Sequence, residues 1–193
     1  MKCQEIKQAK FIRPFFTEKK AKEIVETPKR FALKKKQIEW VSSIPLYIPF
    51  WIVQVEMTLN DPKVRTKVKK VYTTITNGIT NRGMLVRGEL FYDNKEQQGI
   101  FFDNETEYQK IAETARLEAL SNTKRMINPP PHRVLPGGHL VYYPLALVHV
   151  KVNGVDDVQV FDYYRGGIDK YMMRYLNLKD KMEEKKRQKA VNA

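Results

Sequence analysis

The stretch LYIPFWIVQVEM, residues 46–57, decides the fold, because VYYPLALVHVKV at 141–152 nearly repeats it. In the first, Ile48, Phe50 and Ile52 alternate with Pro49, Trp51 and Val53, so both faces are apolar, the pattern of a strand that is buried on two sides or covers a groove. Pro49 near the start of the first places its opening residues at an edge or a bulge. Setting Pro49 on Pro144 brings Tyr47 onto Tyr142, Val53 onto Val148 and Val55 onto Val150, four identities in twelve positions.

The surroundings extend the parallel. Each stretch follows a helical pattern, and each is followed by a return strand that ends in a turn, Asn77-Gly78 in one case and Arg165-Gly166-Gly167 in the other. The first copy carries an insertion between its strands, rich in Lys63, Arg65, Lys67, Lys69 and Lys70, where a hairpin tolerates extra length. The expectation is therefore an α+β fold of two related helix-plus-β-hairpin units, an internal duplication, with antiparallel sheet or sheets covered by helices and a basic C-terminal helix. The units are 1–104, with the basic arm, and 105–193, with the basic tail, the halves sharing one core.

Local signals fill in the elements. Thr17 is placed as the N-cap of a helix whose apolar face is Ala21, Ile24 and Val25, and Pro28 breaks it. Phe31, Leu33 and Ile38 predict a second short helix before the SSIP breaker at 42–45, and residues 83–104 a further hairpin. Residues 105–126 give the clearest helix, with Ile111, Ala115, Leu117 and Leu120 on one face, followed by the stiff link NPPPHRVLPGG at 128–138. Asn153-Gly154 marks the second hairpin, and from 169 onward the pattern is helical. The order helix, strand, strand, turn, with Asp162 followed by Gly166, resembles the small α+β repeats of the PepSY-like type over part of the chain, which implies a helix packed on a hairpin and no particular activity.

Composition limits the function. A chain of 193 residues with 42% hydrophobic and 11% aromatic residues can bury a sizeable core. Cys3 is the single cysteine, so neither an intrachain disulfide nor a multi-thiolate zinc site can form within one chain. The longest apolar run, 44–53, contains Pro45 and Pro49 and is well short of the ~20 residues that a spanning helix needs. The N-terminus lacks the apolar stretch of a signal peptide, so a cytoplasmic location is expected.

Catalytic patterns are absent. Neither GxxxxGK[ST] nor GxGxxG occurs, and no serine lies in a glycine-rich elbow. His139 and His149 stand at opposite ends of one strand, roughly 30 Å apart, so together with His132 they read as loop and strand histidines rather than a metal site. Asp156, Asp157 and Asp169 suit turn and helix-start positions; Asp162, ending a strand among Phe161, Tyr163 and Tyr164, is the carboxylate of most interest. The expectation is a non-enzymatic protein with no cofactor and no metal.

Charge gives the remaining signal. Thirty-five basic residues oppose 22 acidic ones, a net of +13, which draws polyanions without naming one. Residues 1–40 hold twelve Lys or Arg against five Glu, and 170–193 hold eight against three acids. The function expected is binding of an anionic macromolecule, nucleic acid before acidic protein. Its phosphate contacts would be Lys34, Lys35, Lys36, Lys67, Lys69, Lys70, Lys185, Lys186 and Arg187, with Tyr163, Tyr164 and Arg165 for stacking. The competing expectation is a protein–protein adaptor or subunit of a larger assembly, with Phe50, Trp51 and Tyr143 as interface anchors.

Overall fold

The computed structural model describes residues 5–27, 37–61, 66–122 and 129–177. Strands dominate it. β1 (Glu5–Ile12), β2 (Ile38–Asp61), β3 (Thr66–Asn77), β4 (Gly83–Leu85), β5 (Tyr92–Phe101), β6 (His132–Val134), β7 (His139–Val152), β8 (Val155–Asp162) and β9 (Gly167–Ile168) are accompanied by α1 (Glu18–Glu26), α2 (Tyr108–Ser121) and a helical segment α3 at 170–177.

This corrects the expected α+β fold of duplicated, helix-covered units. Among the described residues there are three short helices, and the strands form mixed sheet rather than two hairpins under helices. The cause lies in segments read as irregular or helical that extend as strands. Ile38 opens β2 instead of belonging to a helix, and the SSIP breaker lies inside that 24-residue strand. β1 forms where no element was expected, and 92–101 pairs with β1 instead of folding back on 83–85. Part of the proline-rich link becomes β6 on the edge of β2. The likeness of 46–57 to 141–152 is that of two strands with similar burial and carries no duplication.

The chain forms two compact units, Met1–Arg13 with Tyr47–Pro144, and Pro14–Leu46 with Leu145–Ala193. In the first, the strand order is β4-β3-β2-β5-β1-β7, where β1 meets β7 in parallel at Phe11 and Tyr142 and pairs antiparallel with β5 from Glu5–Gly99 to Ile12–Tyr92. Phe11, Tyr47, Phe101 and Tyr142 make its aromatic core, with the Tyr47 and Phe101 rings stacked at 4.8 Å. α2 lays Ile111, Ala115, Ala119 and Leu120 on Val53, Val55 and Met57, one face of β2. Leu117, expected on that face, is 44% exposed, and Ala119 takes the buried position.

In the second unit, β7 and β8 form a hairpin closed by Asn153 (φ 52) and Gly154 (φ 80), the two positive-φ residues of a type I′ turn. Asn153 is also held to Gln37, donating its N–H to the Gln37 carbonyl at 2.8 Å and accepting the Gln37 N–H on Oδ1 at 3.0 Å. α1 begins as expected at Thr17, whose hydroxyl accepts the Lys20 N–H, and packs Ala21 and Val25 on Trp40, Val148, Val150 and Phe161.

Candidate nucleic-acid interface

Strand alternation sorts the residues of the first unit's hairpin. The register sets Val68, Tyr72 and Thr74 of β3 beside Leu59, Val55 and Val53, on the face that α2 packs against. Lys67, Lys69, Val71 and Thr73 fall on the other face, beside Asn60, Thr58, Glu56 and Gln54. No helix packs on that second face among the described residues. Lys70 stands on the α2 side, opposite Met57, yet is exposed because it lies toward the tip of the hairpin. β4 pairs with β3 only over Thr74–Thr76, with a further bond from Val86 N–H to the Thr73 carbonyl, so residues 66–72 form an outer edge without a neighbouring strand among the described residues.

Glu56 organises the cations at this face. Arg133 of β6 donates from Nε to Glu56 Oε1 at 3.1 Å, and Lys69 Nζ stands 3.6 Å from the same oxygen. The carboxylate side chain is 18% exposed whereas both cations are 67% exposed, so one acid holds two outward-facing cations and the cluster keeps a net positive charge. Arg133 was not among the expected contacts. Its signal in the sequence, a lone arginine between prolines, becomes readable only once β6 is known to be a strand.

Next along the same face, Gln54 and Thr73 border a pocket of about 450 Å³ whose lining includes Ile52, Phe91, Tyr92 and His139. Ile52 is buried and Phe91 is 49% exposed. Two loops border the pocket, each turning at a positive-φ glycine, Gly88 (φ 99) and Gly137 (φ 93), with no atom within 4 Å of where a Cβ would stand. His139 Nε2 is buried and has no hydrogen-bond partner among the described residues, while the His139 and Tyr92 rings meet edge to face at 6.1 Å. Lys10 Nζ lies 4.5 Å from the Tyr92 ring centre and the Arg13 guanidinium 6.0 Å from that of Phe91. Arg13 is fixed by Asp93, Nη2 to Oδ1 at 2.8 Å, and this hydrogen bond holds the Asp93 carboxyl below the usual range against the opposing effect of burial.

The remaining expected residues are distributed as follows. Lys34, Lys35, Lys36, Lys185, Lys186 and Arg187 lie outside the described residues. Phe50 and Tyr143 stack on each other at 4.6 Å and are both buried, so neither presents a ring to solvent. Trp51 donates its indole N–H to Asn104 Oδ1 at 3.0 Å and rests on Tyr108 at 5.0 Å.

In the second unit, Tyr163 packs on Phe161 at 5.5 Å, and Tyr164 on Phe15 at 4.7 Å. Burial, then the charge of Glu18, pushes the Tyr163 hydroxyl above the usual tyrosine range, with a hydrogen bond to Ser43 opposing. Arg165 is 59% exposed. Asp162 is a turn-maker: its Oδ1 accepts the N–H groups of Tyr164 at 2.8 Å and Arg165 at 2.9 Å.

His132 is held by its neighbours, with Nδ1 at 2.7 Å from the Pro130 carbonyl and Nε2 at 3.1 Å from Arg116 Nη1. Among the described residues no group of three His, Cys, Asp or Glu side chains could hold a metal ion, and no helix is long and apolar enough to cross a membrane.

The net charge is unevenly divided. Sixteen of the 35 cations but only three of the 22 acids lie outside the described residues, which leaves 19 of each sign within them. The whole excess of +13 therefore belongs to the segments 1–4, 28–36, 62–65, 123–128 and 178–193. One of these, PKVR at 62–65, joins β2 to β3 and continues the run of Lys67, Lys69 and Lys70. Comparison of the chain with known protein families, curated proteins and solved structures gives no match, and the likeness to PepSY-like repeats carries nothing further.

Proposed function

We propose that this chain is a non-catalytic, cytoplasmic binding protein that contacts nucleic acid, with the β2–β3 hairpin as the part that engages phosphates. One observation carries the reading: Lys67 and Lys69 line one face of the hairpin beside the Glu56–Arg133 pair, and Lys70 projects from the other. Alternate residues on a strand stand about 7 Å apart, so such a row can follow a phosphate chain without any side chain changing face. Lysine supplies charge without a fixed fork, which suits contacts that position a strand rather than read its sequence. The basic segments 28–36 and 178–193 add to the same attraction at longer range.

Lysines on an open strand edge also deter pairing with another sheet, and that role alone would account for them. A salt series separates the two roles. Affinity of the full chain for short single- and double-stranded DNA and RNA should fall steeply with salt. The variant Lys67→Ala, Lys69→Ala, Lys70→Ala should lower the slope of log K against log salt by about 2 on single strands, at about 0.7 per phosphate contact. An unchanged slope would leave the lysines their protective role only, and no binding at low salt would end the nucleic-acid reading.

A further inference from the structure

We propose that the pocket bordered by Gln54 and Thr73 receives an unpaired nucleobase of a single strand, while Arg133 and Lys69 hold the phosphate beside it. The proposal rests on the nucleic-acid reading and adds to it a site that accepts a base.

The pocket's lining disfavours a phosphate and favours a flat, neutral group. Among the described residues that line it, Glu89 is the one formally charged side chain, and it is exposed, whereas Lys10 and Arg13 are set against the Tyr92 and Phe91 rings, so the lining itself offers a phosphate a carboxylate. At about 450 Å³ the space lies within the range of small-ligand sites, roughly 300–1,000 Å³. Phe91 offers a half-exposed ring for stacking, held in place by the cation–π contact from Arg13. Gln54 is exposed at the mouth, and its amide can both donate to and accept from the edge of a base. His139 also lines the pocket, and its buried Nε2 has no hydrogen-bond partner among the described residues.

The position of the pocket points to a strand rather than a duplex. Gln54 and Glu56 are two residues apart on one face of β2, about 7 Å along the strand. Arg133 and Lys69, both anchored on Glu56, therefore stand one step from the pocket mouth, where the backbone of an inserted nucleotide would pass. A base inside a duplex is stacked and paired and cannot enter without being extruded, whereas a single strand presents it freely.

The test uses the full chain and two probes. The first is the four free nucleosides, which lack a phosphate and so read the pocket independently of the cationic face; millimolar nucleoside should shift the ring resonances of Phe91 and His139. The second is eight-residue single strands of RNA and of DNA, intact or with every base removed. Phe91→Ala and Gln54→Ala change exposed side chains and should spare the fold. Phe91→Ala should weaken intact strands about tenfold, in line with one lost stack, and leave abasic strands and the salt slope unchanged. Comparison of RNA with DNA tells which of the two supplies the base.

Absence of nucleoside shifts overturns the pocket whatever the strands do. Loss of strand binding in the triple lysine variant with none in Phe91→Ala or Gln54→Ala also overturns it and leaves the cationic-face reading intact. Nucleoside shifts without salt-dependent strand binding refute the strand as the source of the base and, with it, the nucleic-acid reading.

Discussion

Gly78→Ala tests how tightly the first unit's turn, helix start and tryptophan are joined. Gly78 donates its N–H to the Pro49 carbonyl at 2.8 Å, and its own carbonyl accepts the N–H groups of Glu105 at 2.9 Å and Thr106 at 2.8 Å, just before α2. A methyl group built there would overlap the side-chain oxygen of Asn104 and stand 3.0 Å from the Pro49 carbonyl oxygen. The backbone carbonyl cannot yield, so Asn104 must turn away and release two hydrogen bonds, from Trp51 Nε1 at 3.0 Å and to the Thr106 carbonyl at 2.8 Å. Asn104 is exposed, so each bond contributes at the low end, about 0.5–1 kcal/mol. Crowding against the carbonyl adds about 1–3 kcal/mol, and the lower entropy of the unfolded alanine chain returns about 0.5 kcal/mol. The expected loss is about 1.5–4.5 kcal/mol.

Urea unfolding followed by tryptophan fluorescence should show a lower midpoint at an unchanged m-value. Asn104→Ala alone should cost about 1–2 kcal/mol, since it loses the same two bonds. Because those bonds can be lost only once, the double variant should fall short of the sum by about 1–2 kcal/mol. Costs that add within about 0.5 kcal/mol would refute the coupling through Asn104.

Other expectations follow from single contacts. Asp162→Ala strips the acceptor from the Tyr164 and Arg165 amides and should lower stability by about 1–2 kcal/mol, with Asp162→Asn closer to the parent because its amide oxygen still accepts; thermal unfolding distinguishes them. Asp93, lowered by Arg13, contributes stability above the ordinary aspartate range that is lost as pH falls through its lowered value, so Arg13→Ala should flatten the acid limb of stability below about pH 4 and move the Asp93 carbon resonance back toward the usual titration. Tyr163, raised chiefly by burial, contributes stability present below the ordinary tyrosine range and lost as pH rises through its raised value; ultraviolet titration of Tyr163→Phe should lose one tyrosine's share of the late-ionising absorbance.

The sequence showed its punctuation better than its architecture. Thr17 capped the first helix and Asn153-Gly154 closed the second hairpin as expected, because cap and turn preferences are decided within a few residues. The extent of β2 was not visible: Ser42, Ser43 and Pro45 weaken strand propensity locally, and only pairing with distant strands overrides them. The same applies to β6, whose three residues become a strand because β2 offers them an edge.

Of the candidate site, the basic hairpin was legible from alternating lysines. The pocket was not, since Ile52, Phe91 and His139 are far apart in the chain and meet only through the loops that carry Gly88 and Gly137. Phe50 and Tyr143, expected as interface anchors, are buried against each other, a pairing across distant segments that neither stretch shows by itself.

The way the two units divide the chain sets a timetable for synthesis. α1 leaves the ribosome early, but Val148, Val150 and Phe161, which cover its apolar side, are made more than a hundred residues later. At about 5–20 residues per second, Ala21, Val25 and Trp40 wait on the order of ten seconds for their partners. A nascent chain of this protein therefore carries an uncovered greasy surface through most of its translation, and cells deprived of the chaperones that shield such surfaces should lose this protein to aggregation before its C-terminal hairpin is complete.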